Sequence, residues 1–139
     1  MKTLLFLTAD SANLTQDKKI NILGIFNQIF ASKFPALHPQ LTLVIKLGLE
    51  PGEQRMNRKL TLYFAGEDAN RQQVKMFDEA FDFPERVGGL DPEHVTIIDI
   101  RGILFPAEGT YQFLMHMDDR YLASLSLYLS SLPQPQIGE

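Results

Sequence analysis

The sequence contains no cysteine, and that absence removes disulfides, thiolate zinc sites and cysteine nucleophiles together. Tryptophan is also missing and there are only four tyrosines, which leaves little flat aromatic surface for a sugar to stack on. No apolar run approaches the roughly 18 residues that a membrane-spanning helix needs. Lysine and arginine number 13 against 17 aspartate and glutamate, giving a formal net charge of −4. Such a chain has no positive field to hold a phosphate backbone, so neither nucleic acid nor a membrane is an expected partner. The nucleophile and phosphate motifs G-x-S-x-G, G-x-G-x-x-G, H-E-x-x-H and the P-loop are absent. An enzyme is therefore not expected, and no cofactor is assigned.

What is present suits one soluble domain. At 139 residues and 45% hydrophobic composition, the chain can bury roughly two thirds of its unfolded surface without covalent staples. The opening MKTLLFLTADSA has a lysine before an apolar run, as an export signal does. That run is strong only from Leu4 to Leu7, and Asp10 puts a charge where a cleavage site should be small and neutral. A first β-strand closed by a polar turn is the expected reading, with a cytoplasmic location.

Period-two alternation organises the rest. In LTLVIKLGL, Leu41, Leu43, Ile45, Leu47 and Leu49 fall on one side. EPGEQRMN reads as a turn, and Leu60, Leu62 and Phe64 resume the pattern, which predicts a hairpin. Arg55, Arg58 and Lys59 in that region read as a solvated loop. KINILGIFNQIF reads as one β-branched strand, interrupted at Gly24 by a bulge or a close backbone approach. ASKFPALHP, with Pro35 and Pro39, reads as a connection crossing between sheets. AGEDANRQ reads as a turn, and QQVKMFDEAFDFP as a strand that is bulged or bent. HVTIIDIRGILF has the apolar content of a central strand, and Asp99 within it is expected to be partly buried against a cation such as Arg101. Tyr111, Phe113, Met115 and Met117 alternate ahead of Asp118-Asp119-Arg120, and Tyr121, Ala123, Leu125, Leu127 and Leu129 alternate after it, so these two runs form a hairpin. The expected fold is all-β: a single-domain antiparallel β-sandwich of about eight strands, immunoglobulin-like or of related Greek-key topology, over residues 1–129. A flexible C-terminal tail follows over 130–139.

The candidate sites are few. His38, His94 and His116 stand in three separate elements without ligand spacing, so no metal ligands are assigned. Phe34, Pro35, Leu37 and His38 form a candidate interaction loop. Asp10 and His116 are the candidate polar site, and Asp10 has a simpler role in accepting backbone N–H groups at a turn.

Three segments, TADSANLTQDKKINILGIF, IFASKFPALHPQLTLVIKL and GILFPAEGTYQFLMHMDDRYLASLSLYL, together resemble a bacterial family of small all-β proteins classed as a domain of unknown function. The resemblance implies a fold and a bacterial source and carries over no catalytic residue. PAEGTYQF also resembles the sheet corner of immunoglobulin-like sandwiches, where a tyrosine hydroxyl reaches backbone, which gives Gly109 and Tyr111, with Gly24, structural roles.

The function expected is a non-catalytic protein-interaction or assembly module whose partner is an unknown protein or a second copy. Two alternatives stand beside it. A metal-dependent or hydrolytic enzyme would show a cleft placing His38 or His116 beside Asp10 or Asp99. A small-ligand or carbohydrate-binding sandwich would show a sheet face lined by Tyr63, Tyr121 or Tyr128.

Overall fold

Stripes of alternating apolar residues have to be covered, and in this chain two sheets cover each other. The computed structural model describes residues 1–66 and 72–133. It contains β1 (Lys2–Leu14), β2 (Ile20–Phe26), β3 (Gln28–Ala31), β4 (Ala36–Gly48), β5 (Arg58–Ala65), β6 (Val74–Phe81), β7 (Glu93–Phe105), β8 (Gly109–Met117) and β9 (Arg120–Ser131). One sheet has the order β2-β1-β4-β7, and the other β3-β9-β8-β5-β6. Every pairing is antiparallel except β3 with β9, which is parallel. The expected all-β sandwich is what the chain forms. No helix of the described residues is long and apolar enough to cross a membrane.

The core lies between the sheets. Leu41, Leu43, Ile45 and Leu47 of β4 meet Leu60 and Leu62 of β5, Phe113 and Met115 of β8, and Leu127 of β9, all fully buried. Each such side chain contributes roughly 1.5–3 kcal/mol. Thr42 and Val44 on the outer side of β4 are also fully buried, because β1 and β7 flank them on both sides, with Leu7 and Ile97 in register with Val44.

Several expectations change. The stretch KINILGIFNQIF is two strands rather than one, and β2 and β3 join different sheets on either side of Asn27. The predicted β4–β5 hairpin does not exist: β4 pairs with β1 and β7, whereas β5 pairs with β6 and β8. Alternation shows which side of a strand is buried, and two strands facing each other across a core satisfy it as well as two neighbours do. β7 is an edge strand, not a central one. Asp99 is exposed and accepts a 2.8 Å hydrogen bond from the Thr42 hydroxyl, not from a cation. β1 continues through Asp10 to Leu14, so Asp10 does not close it. Leu37 and His38 belong to β4, paired with Leu104 and Ile103. Pro39 is tolerated there because β1 pairs with β4 only as far as Ala9 opposite Thr42, so no neighbour on that side asks for its missing N–H.

Two irregularities shape the surface. Leu62 opposes Phe77 while Tyr63 opposes Lys75, so Met76 is an extra residue that bulges β6 and explains the broken phase of that strand. In β7 the core-packed positions run Ile98, Ile100 and then Ile103 and Phe105. The interval widens from two to three at Gly102, whose φ is +70°. That change leaves Leu104 outside, in register with Leu37. β9 runs to Ser131, and the remaining tail from 134 onward, like most of the predicted turn at 65–72, lies outside the described residues.

Candidate functional site

The residues that sequence analysis singles out are distributed over three places. Tyr111 sits at a sheet corner, its hydroxyl donating to the Ala107 carbonyl at 2.7 Å and accepting from the Ala107 N–H at 3.2 Å. Its ring stacks on Phe64 with centroids 5.7 Å apart. Gly109 begins β8 with φ +143°, a conformation open to glycine. A recess of about 590 Å³ opens beside this corner between Phe64, Val74 and Leu104. Two of its polar groups are already engaged: the tyrosine hydroxyl is held by Ala107, and Glu108 accepts a hydrogen bond from the Ser131 N–H.

His116 lies on the outer face of the five-stranded sheet, with its ring between Tyr63 (centroids 4.9 Å) and Tyr121 (6.1 Å). Asp10 is on the other sheet, so the proposed pairing of Asp10 with His116 does not form. Beside the aromatic row, Asp78 accepts from the Lys75 ammonium at 2.6 Å and from the Thr61 hydroxyl at 2.8 Å. Those two bonds, Lys75 first, hold the Asp78 carboxyl below its ordinary value. A depressed folded value means that the pair stabilises the protein above the unfolded aspartate value and that this contribution fades as pH falls through the folded one. A carbon-detected NMR titration is expected to place the Asp78 midpoint below that of a free aspartate. A midpoint at or above it would show that the contact does not persist in solution.

The third place gathers most of the candidates. Two shallow recesses of about 470 and 460 Å³ share Ile29, Phe30 and His38. The first is lined also by Pro35 and Leu37, and the second by Asp10, Gly24 and Phe26. His38 and Asp10, distant in sequence, thus line one recess, and the His38 ring lies 6.1 Å from that of Phe26. Phe34 instead packs against the core, which leaves Pro35 and Leu37 as the presented part of its segment. Gly24 adopts φ +68°, and a Cβ there would lie 2.3 Å from Asp10 Oδ2. The carboxylate therefore rests against bare backbone, a close approach that only glycine permits.

Around these recesses the surface is apolar. Leu23 is 71% exposed, Leu37 65%, Ile25 64% and Phe30 52%. Leu23, Ile25 and Phe30 escape sequence analysis because a β-branched, uncharged run reads as a core strand. The available signal was the lack of any charge across Ile20–Phe26.

Elsewhere polar groups are paired. His94 and Glu79 join the open edges of the two sheets, Thr96 bonds to both at 3.0 and 3.2 Å, and the imidazole stacks on Phe81 with centroids 3.7 Å apart. Arg58, read as solvated, is 8% exposed and holds Asp118 through Nε at 2.7 Å and the Gln54 carbonyl through Nη1 at 2.6 Å. Among the described residues, no three His, Asp or Glu side chains gather where they could hold a metal ion.

Comparison with known proteins adds a family and a set of similar structures. The model of a family described as of unknown function, DUF6941, matches residues 4–130. No curated protein sequence matches. The structure is similar to that of a superoxide reductase (neelaredoxin) from Ignicoccus hospitalis, at 14% identity over 88% of this chain and 80% of that one, with a TM-score of 0.38. It is also similar to an immunoglobulin-like protein from Pseudomonas aeruginosa, at 17% identity over 88% and 90% of the two chains, again with a TM-score of 0.38.

Proposed function

Because the chain belongs to the DUF6941 family, whose function is unknown, its role has to be read from the surface it presents, and we propose that it is a non-catalytic protein-interaction or assembly module. The observation that supports this reading is the clustering of Ile25, Phe30 and Leu37, each more than half exposed, around the paired recesses at the root of β2 and β3. An apolar patch on a soluble protein costs solvation free energy unless a partner covers it. The cysteine-free composition fits a reducing bacterial cytoplasm, where we place it.

The test is affinity capture from the native host, comparing the natural sequence with the double variant Phe30→Glu, Leu37→Glu. The natural sequence is expected to retain a recurrent protein that the variant loses by about tenfold or more, as for truncation of an interface hot spot. Equal recovery by both would remove the recesses as the docking surface.

One observation favours a second reading, a metal-dependent or hydrolytic enzyme: Asp10 and His38 line the same recess. Stoichiometric metal retained by the purified protein and lost in His38→Ala would support that reading over the first.

A further inference from the structure

We propose that copies of this chain join head to tail, the Val87–Leu90 hairpin of one copy entering the paired recesses around Phe30 and Leu37 of the next. The inference rests on the assembly reading above and names a second copy as the partner.

The connection from β6 to β7 is built to project. Phe83 at its start is fully buried and donates its N–H to the Arg55 carbonyl. Pro92 at its end is buried, and its carbonyl accepts the Leu49 N–H at 2.9 Å. Between these anchors Val87 and Leu90 form an antiparallel bridge, with the Leu90 N–H donating to the Val87 carbonyl at 3.1 Å. Gly88 and Gly89 turn the chain with φ +60° and +75°, the two successive left-handed residues that a tight hairpin needs. Arg86 Nη1 donates to Asp91 Oδ1 at 2.5 Å and braces the root. A Cβ added at either glycine would meet nothing within 4 Å, so the tip stands clear of the rest of the protein.

That tip is apolar. Directly paired residues of antiparallel strands project to the same side, so Val87 and Leu90 stand together, 75% and 76% exposed. The turn needs its two glycines but not the valine and leucine beside them. A projection already held in shape loses little entropy when it docks.

The hairpin cannot fill the recesses of its own copy. Leu37 and His38, at the start of β4, line the recesses, whereas Gly48, at its end, lines a hollow with Leu90. From Leu37 to Gly48 a strand spans roughly 35 Å. Knob and recess thus lie at opposite ends of one strand, out of reach within a copy and in line between copies. A contact between unlike surfaces at opposite ends propagates as an open chain.

Charge favours the same occupant. Asp10 lines one recess and Lys33 the other, and neither has an ion-pair partner among the described residues. The hairpin brings both signs, Arg86 beside Asp91, with Glu85 one residue further from the tip. Seated with Arg86 toward Asp10 and Asp91 toward Lys33, it offers each of the two lone charges an opposite one. A partner of one sign would satisfy only one of them.

Size-exclusion chromatography with light scattering tests the contact. The natural chain is expected to rise with concentration past twice 15.8 kDa, as copies joined by a small, weak contact do. The hairpin variant Val87→Asp, Leu90→Asp and the recess variant Phe30→Glu, Leu37→Glu are each expected to stay at single-copy mass, their association weakened about tenfold or more. Both should keep the natural circular dichroism spectrum, and Leu37→Glu alone replaces the recess variant if its spectrum changes. Mixed in equal amounts, the two are expected to form a complex of twice the single-copy mass and no larger, because one keeps its recess and the other its hairpin. A natural chain that stays monomeric at its highest soluble concentration, or stops at twice the single-copy mass, overturns the proposal. So does a hairpin variant that assembles as the natural chain does, or a mixture that stays monomeric. The capture experiment above is read independently: a host protein retained by the hairpin variant and lost by the recess variant keeps the interaction reading, even where the natural chain fails to assemble and this contact falls.

Discussion

A chain lacking residues 1–9 is expected to lose cooperative folding altogether. β1 lies between β2 and β4, and its pairing with β4 extends from Lys2 opposite Gly48 to Ala9 opposite Thr42. Thr8 and Ala9 are buried, the Thr8 hydroxyl donates to the Phe26 carbonyl, and Phe6 packs against the core. Removing the segment opens one edge of β4, a strand buried on both faces, and detaches β2 from the sheet. Unpaired, desolvated backbone groups cost about 1–3 kcal/mol each, and several of them together with the lost apolar burial exceed the ~5–15 kcal/mol that holds a domain folded. A thermal scan followed by circular dichroism should show no sigmoidal transition. A cooperative melt within a few degrees of the full chain would mean that β1 is dispensable.

The second large effect is expected at the buried ion pair. Arg58 is almost enclosed, and Asp118 supplies its counter-charge while accepting the Lys59 N–H at 2.9 Å. Replacing Asp118 by alanine strands the guanidinium with one carbonyl for company. The loss for a fully buried pair is about 3–5 kcal/mol, and because the Asp118 side chain is 40% exposed, water screens part of it, leaving about 2–3 kcal/mol. Asp118 also sits at φ +52° in the β8–β9 turn, followed by Asp119 at +66°, and alanine is less at ease there than aspartate. Asp118→Gly separates the causes. Glycine accepts the dihedral but offers no charge, so it should lose nearly as much as alanine in urea denaturation. Full recovery with glycine would assign the effect to the turn instead.

The β8–β9 hairpin was legible because two independent signals coincide: alternation on both strands, and an Asp-Asp pair where left-handed backbone is needed. The expectation of a domain of unknown function agrees with the family model over residues 4–130. Where only one signal existed, it misled. Ile20 to Phe30 carries neither a charge nor a proline, and Asn27 looks no different from Asn21 within β2, so nothing marks it as the point where the chain changes sheet. The solvated reading of Arg58 failed because its partner lies 60 residues away in a turn whose aspartates already have a local explanation. Asp10 and Gly24 each looked unusual, yet their contact depends on the β1–β2 register, in which Ala9 faces Ile25 and Ser11 faces Leu23. A list of residues does not contain that register.

The parallel pairing of β3 with β9 sets a timetable. Gln28 lies in register with Tyr128, and Ala31 with Ser131, so β3 waits for β9, made much later in the chain, to arrive. Contacts between residues this far apart in sequence form slowly. Until β9 is complete, β3 and the apolar residues around it have no place to dock, and the nascent chain carries an open sheet edge. The chain is therefore exposed to mispairing during the interval before β9 leaves the ribosome.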